Sequence, residues 1–124
     1  MIKIGILGSS GRVGSLLIDD LKNDKEAKLA CVHVFDKIEK ILPEDTVVTN
    51  DINVLFEQSD VIIDFSSPVA TEELLTAVVE GGKRKPLVIA TTGLSKHQQN
   101  LLLEASKLVP ILYATNMSLG VAVL

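Results

Sequence analysis

The sequence predicts an α/β fold in which a doubly wound, mostly parallel sheet carries helices on both faces. Three observations predict it. Apolar runs alternate with stretches of helical periodicity along the whole chain of 124 residues. The runs are apolar nearly throughout, as expected of strands buried on both faces of a parallel sheet. A glycine-rich turn follows the first run, and this arrangement is typical of Rossmann-like folds.

The first predicted elements are a strand, a helix and a second strand. Ile2–Leu7 is a mainly apolar run of strand length. Gly11–Leu21 places its apolar residues on one face of a helix. Lys28–Phe35 is the second apolar run, and the polar stretch Asp36–Asp45 after it is predicted to be a surface loop within the same domain.

Two short elements and a further strand are predicted next. Thr46–Thr49 is predicted to be a short strand, and Ile52–Glu57 a short helix. Asp51 stands immediately before this helix and suits its N-cap, because a carboxylate accepts from the free N–H groups there. Asp60–Phe65 is the next apolar run and predicts a strand.

The helix predicted over Pro68–Glu80 has signals at both ends. Ser67 suits the N-cap, proline is tolerated in the first turn, and Gly81 with Gly82 marks the stop.

The last three predicted elements are a strand, a helix and a strand. Pro86–Ala90 is a short apolar run. Ser95–Leu108 is helical, with Ser95 as its cap and Pro110 just beyond its end. Ile111–Ala114 is predicted to be the final strand.

Composition and charge narrow the function classes. The net charge of −4 argues against general nucleic-acid binding, which needs a basic surface. No apolar run reaches the roughly 18 residues of a membrane span, and the N-terminus does not resemble a signal peptide. Cys31 is the only cysteine, so an internal disulfide is impossible, which fits a cytoplasmic protein.

The turn after the first strand is the candidate phosphate-binding site. Gly8, Gly11 and Gly14 stand three apart between a strand and an amphipathic helix. Glycine permits positive φ and lets the backbone approach a pyrophosphate, which the free N–H groups of the helix N-terminus then bind. The alternative is a tight turn in which the glycines serve packing alone.

Three charged residues are candidates for the nucleotide site. Arg12 lies within the turn and either folds over the adenine, pairs with a phosphate or is simply solvated. Asp36 stands about 20 residues past the last glycine, where an acid usually binds the adenosine ribose. Lys37 beside it would suit the extra phosphate of NADP, and both are otherwise ordinary loop charges.

Three later segments stand where strands are predicted to end. They are Ile63-Asp-Phe-Ser-Ser-Pro68, Thr91-Thr-Gly93 and Asn116-Met-Ser-Leu-Gly120. In open α/β sheets, ligands bind outside the carboxyl ends of strands, so all three should face the dinucleotide. With the turn Gly11-Arg-Val-Gly14, their order and spacing resemble the 4-hydroxy-tetrahydrodipicolinate reductase (dihydrodipicolinate reductase) family over nearly the whole chain.

The resemblance implies a nicotinamide-dinucleotide site for NADPH or NADH. Residues of the turn would cradle the pyrophosphate, and residues after the later strands would line the cofactor pocket and contact its nicotinamide end. The implied residues are Gly8, Ser9, Ser10, Gly11, Arg12 and Val13 in the turn, and Phe65, Ser66, Ala90, Thr91, Thr92, Ala114, Thr115, Asn116 and Met117 in the pocket.

The chain departs from the family pattern at two points. An ungapped count places the cofactor-selecting acidic–basic pair on Val34 and Phe35, and a shift of two residues moves it to Asp36 and Lys37, so NADH and NADPH both remain open. The family's His-His…Lys and Asp-Ala-Pro-Ser-Gly-Thr segments, which bind and protonate substrate, have no counterpart here. The chain would therefore bind the cofactor that donates the hydride, but it lacks the residues that bind and protonate substrate. We expect it to be inactive alone.

The resemblance also implies a domain organisation. Residues 1–115 would form the dinucleotide-binding domain, and residues 116–124 a hinge and the start of a C-terminal domain. The apolar stub Val121–Leu124 suggests a truncated chain. The intact protein would be a homotetramer held mainly by that second domain, and this chain a monomer or weak dimer.

Two rival functions remain open. The first is the nucleotide domain of another two-domain dehydrogenase, such as an aspartate-semialdehyde or homoserine type. The second is a stand-alone dinucleotide-binding module, either a redox sensor or a remnant without a catalytic partner.

Several reactive residue types are assigned structural roles. His33 and Cys31 lie in the second predicted strand and are expected to pack in the core. His97 is expected to be solvated, and no metal-ligand spacing links these residues. Asp64 closes a strand and is expected to hold a loop by accepting backbone N–H bonds.

Overall fold

The computed structural model describes residues 2–8, 26–33 and 46–113. Within these ranges the strands are β1 (Ile2–Leu7), β2 (Ala27–His33), β3 (Val47–Thr49), β4 (Val61–Asp64), β5 (Leu87–Ile89) and β6 (Ile111–Tyr113). The helices are α1 (Ile52–Gln58), α2 (Pro68–Val79) and α3 (Lys96–Ser106). Each corresponds to a predicted element, and no end differs from its predicted position by more than two residues. The predicted helix Gly11–Leu21 lies outside the described residues.

The six strands form one sheet in the order β3-β2-β1-β4-β5-β6, and every neighbouring pair is parallel. The chain runs outward from β1 to β3, returns to the other side of β1 at β4, and runs outward again to β6. This reversal confirms the predicted doubly wound sheet. It also places the topological switch point of the sheet at the carboxyl edge between β1 and β4, where ligands bind in such sheets.

The buried apolar residues form two clusters, one on each face of the sheet, because side chains alternate between the faces along each strand. The larger cluster joins strand residues such as Leu7 and Ile89 to buried residues of all three described helices, including Phe56, Leu74 and Ala105. The smaller cluster lies among strand residues alone, around Ile4, Ile6, Leu29 and Val32.

The two outermost described strands are less buried than the sequence pattern predicts. Val48 of β3 and Leu112 of β6 are each about half exposed, at 49% and 48%. An edge strand of the described sheet has a neighbour on one side only, which leaves its side chains more accessible to solvent. Burial on both faces is therefore confirmed only for the central strands.

The predicted helix caps are present. Asp51 accepts a hydrogen bond from the backbone N–H of Asn53, 2.9 Å away. Ser67 caps α2, whose first residue is proline, and its hydroxyl accepts from the N–H of Ala70. Ser95 and Gln98 form a reciprocal capping box at the start of α3.

Across residues 2–8, 26–33 and 46–113, no helix has both the length and the apolar character that a membrane crossing requires.

Candidate functional site

The backbone of Gly8 packs directly against the segment that follows β4. Gly8 has φ of +87°, and a Cβ built on it would lie 2.7 Å from the carbonyl carbon and oxygen of Phe65 and from Cα of Ser66. Real Cβ atoms essentially never come so close to backbone. Only glycine therefore fits this position, on grounds of both conformation and space.

Main-chain hydrogen bonds continue across the sheet just beyond the strand ends. The N–H of Phe65 donates to the carbonyl of Leu7 over 2.9 Å, and the N–H of Ala90 donates to the carbonyl of Asp64 over 2.9 Å. Gly8, Phe65 and Ala90 thus follow three adjacent strands at one edge. The structure brings together there all six predicted site residues that it describes, which are Gly8, Phe65, Ser66, Ala90, Thr91 and Thr92.

A buried carboxylate lies beneath this edge. Asp64 is fully buried, and its Oδ1 accepts from the backbone N–H of Ser66 at 2.8 Å and from the Ser66 hydroxyl. Thr91 Oγ1 donates to the same oxygen over 3.2 Å. Oδ2 accepts from the hydroxyl of Thr71, which also lies 2.8 Å from Thr91 Oγ1. We call Asp64, Ser66, Thr71 and Thr91 the Asp64 cluster.

Burial and hydrogen bonding act on Asp64 in opposite directions. Loss of contact with water raises the pKa of its carboxyl above the ordinary value, because the charged form is poorly solvated. Hydrogen bonds from Ser66, Thr71 and Thr91 favour the charged form and offset part of this rise. An ionised carboxylate only accepts hydrogen bonds, and each of these partners has a proton to donate.

The hydroxyl groups of two predicted site residues point away from the edge. Ser66 and Thr91 both direct their hydroxyls to Asp64, and Thr91 is 3% exposed. Thr92, by contrast, is exposed. What Ser66 and Thr91 offer a ligand is therefore mainly a fixed backbone, and their contact with a cofactor stays a prediction.

Sequence reasoning missed Thr71, which lies in the first turns of α2. The available signal was a hydroxyl among the apolar residues of the buried helix face, four positions after the Ser67 cap. The prediction that Asp64 holds a loop is confirmed, since its carboxylate accepts a hydrogen bond from the backbone N–H of Ser66.

The other reactive side chains have the environments expected of them. His33 and Cys31 are fully buried in β2, and His97 is exposed. Burial raises the pKa of the Cys31 thiol to about 11, against a smaller lowering by its hydrogen bond with the Val32 backbone.

The remaining predicted site residues lie outside the described residues. They are Ser9, Ser10, Gly11, Arg12, Val13, Asp36, Lys37, Ala114, Thr115, Asn116 and Met117.

Comparisons of the sequence with known proteins agree on one family. The model of the family "Dihydrodipicolinate reductase, N-terminus" matches residues 2–117. A 4-hydroxy-tetrahydrodipicolinate reductase of Aliarcobacter butzleri is 78% identical over the whole chain, and one of a Nitratiruptor species is 55% identical. The chain spans 48% of the length of each, about half of these curated relatives.

A solved structure has the same fold. A dipicolinate-bound dihydrodipicolinate reductase from Paenisporosarcina superposes with a TM-score of 0.75 at 21% identity, over 97% of this chain and 49% of that one. At this identity the likeness supports the fold alone.

Proposed function

Because the chain belongs to the dihydrodipicolinate reductase N-terminus family, we propose that it is the NADPH- or NADH-binding part of a 4-hydroxy-tetrahydrodipicolinate reductase. The intact enzyme would reduce 4-hydroxy-tetrahydrodipicolinate to tetrahydrodipicolinate in the cytoplasm, on the route to diaminopimelate and lysine. When bound, the cofactor supplies the hydride for this reduction.

One structural observation carries the proposal. Gly8 leaves no room for a side chain at the point where the sheet order reverses, so its backbone lies directly against Phe65 and Ser66. Backbone without a side chain at Gly8, beside the switch point, suits the close approach of a dinucleotide pyrophosphate.

The residues around the edge have distinct proposed roles. Gly8 to Val13 would hold the pyrophosphate through backbone N–H groups. Phe65 with Ser66, and Ala90 with Thr91 and Thr92, would line the pocket from the ends of β4 and β5. Ala114 to Met117 would complete it, and Asp36 with Lys37 would bind the adenosine end.

Domain and assembly follow the family pattern in this proposal. Residues 1–115 would be the cofactor domain, and residues 116–124 the hinge toward the part that binds and protonates substrate. Homotetramers would be built mainly through that second part, and this chain alone would be inactive and monomeric or weakly dimeric.

Cofactor binding is tested by thermal unfolding with NADH and NADPH titrated separately. A ligand that binds only the folded state stabilises it by about 2.7 kcal/mol at 100 times its Kd, so the melting temperature should rise. No rise with either nucleotide at millimolar concentration would overturn the proposal.

Two variants sharpen the test. Replacing Gly11 with a bulky residue should abolish the rise, and an unchanged rise would mean that the turn is only structural. Lys37→Ala should weaken the binding of NADPH more than that of NADH. Equal losses of affinity would exclude Lys37 as the ligand of the extra phosphate.

A further inference from the structure

The Asp64 carboxylate connects two loops that are otherwise separate in the chain. Ser66 belongs to the turn after β4, and Thr91 to the segment after β5. Both donate hydrogen bonds to Oδ1 of Asp64, at 2.8 Å for the Ser66 N–H and 3.2 Å for Thr91 Oγ1. Thr71 of α2 donates to Oδ2, so the cluster also attaches the helix to both loops.

We propose that Asp64 and Thr71 are positioning residues for the dinucleotide, which hold the Phe65–Ser66 turn and the Ala90–Thr92 segment at the spacing that binding requires. This inference rests on the proposed function and extends it to two residues outside the implied cofactor set. Asp64 and Thr71 are both fully buried and act through Ser66 and Thr91.

The chemistry of the cluster supports positioning rather than stability alone. A buried carboxylate is costly to desolvate. A protein with a well-packed apolar residue of similar size in its place is often equally stable or more stable. Core packing at this position would therefore be served by an apolar side chain. A carboxylate instead directs its partners, because each oxygen accepts only along its lone pairs and each hydroxyl has one proton.

One of the two loops that Asp64 joins, the Phe65–Ser66 turn, also packs against Gly8. A Cβ built on Gly8 would meet Phe65 and Ser66 at 2.7 Å, so a small shift of the Ser66 turn changes its contact with the Gly8 backbone. Displacements below 1 Å at a binding site are enough to lower affinity, since pre-organised geometry limits the cost of ordering on binding.

The test compares Thr71→Val, which removes the hydroxyl at nearly constant shape, with Thr71→Ser, which keeps it. The Kd of each chain for NADPH and NADH is measured by nicotinamide fluorescence, and the melting temperature is recorded without nucleotide. Thr71→Val should raise the Kd roughly three- to tenfold, the effect of losing one hydrogen bond, and Thr71→Ser should return it to within about twofold.

The outcomes separate positioning from a general structural role. A lower melting temperature with an unchanged Kd in Thr71→Val overturns the inference and leaves the proposed function standing, as does a raised Kd that serine does not restore. Absence of nucleotide binding by the unsubstituted chain overturns both. If Thr71→Val does not fold, Asp64→Asn replaces it, because the amide can accept at one atom only, and an unchanged Kd there overturns the inference.

Discussion

Gly8 and Phe65 meet backbone to backbone, with 2.7 Å between the carbonyl carbon of Phe65 and the place where a Cβ of Gly8 would be. The contact joins the end of β1 to the end of β4, which are 57 positions apart in the chain between Leu7 and Asp64 but paired in the sheet. The contact therefore requires glycine at position 8 whether or not a ligand is bound.

Gly8→Ala should destabilise the chain far more than Gly82→Ala. Both glycines have positive φ, +87° and +72°, so both variants incur backbone strain of about 1–2 kcal/mol. Only at Gly8 does the added Cβ collide with backbone, which should bring the loss to about 3 kcal/mol or more. Urea unfolding followed by circular dichroism measures both. Equal losses would show that the close approach to Phe65 relaxes easily.

Gly5, in the middle of β1, forms a second close contact with Ser59, the residue that follows α1. A Cβ on Gly5 would lie 2.0 Å from the Ser59 hydroxyl oxygen, which is buried and has no hydrogen-bond partner among the residues described. Ser59→Ala should therefore leave stability unchanged or raise it by about 1 kcal/mol, because it removes an unsatisfied polar group.

The same contact predicts coupling between the two positions. Gly5→Ala alone should cost about 2–3 kcal/mol through overpacking, and at least about 1 kcal/mol less in the Ser59→Ala background. A double-mutant cycle by urea unfolding measures the coupling. Additive losses would contradict the proposed collision with the hydroxyl.

Cys31 predicts a stability change at alkaline pH. Its folded pKa is raised from 9.0 to about 11 by burial, so the unfolded thiol ionises first as the pH rises. The stability contributed by the neutral buried thiol is complete below about pH 9 and is lost as the pH rises toward 11. The free energy of unfolding should fall more steeply over this range in the unsubstituted chain than in Cys31→Ala. Parallel pH profiles would contradict the raised pKa.

Ser95→Ala should weaken the start of α3. The Ser95 hydroxyl accepts from the backbone N–H of Gln98 at 3.1 Å, and its loss leaves that donor unpaired at a cost of about 1 kcal/mol. Ser106→Ala is the control, since its exposed hydroxyl donates to the carbonyl of Leu103 near the other end of the helix. Thermal unfolding should separate the two variants by several degrees, and equal melting temperatures would argue against the capping box.

Local signals explain which parts of the fold were predictable. Asp51, Ser67 and Ser95 each bond to N–H groups two or three residues away, so their roles follow from neighbouring sequence. The strand order depends on which distant apolar faces pack together, and no local pattern encodes it. The irregular register of β1 against β2 between Ile4 and Gly5 likewise could not be predicted from local sequence.

The candidate site divides in the same way. Gly8 was predictable because a glycine between a strand and a helix is a recognisable local pattern. The Asp64 cluster was only half predictable, since the Ser66 N–H is two residues from Asp64 while Thr91 is 27 residues away. Thr71 carries no motif, and only the packing of α2 against the sheet reveals its partner.

The parallel order of the sheet has a consequence for how the chain folds. Its two central strands, β1 and β4, can pair only after the segment between Leu7 and Asp64 has closed into a loop, and this contact has a high entropic cost. Until then, the unpaired backbone edges that the two strands share are accessible to other chains. We therefore expect folding to be slow for a chain of this size, and the yield of refolded protein to fall as its concentration rises.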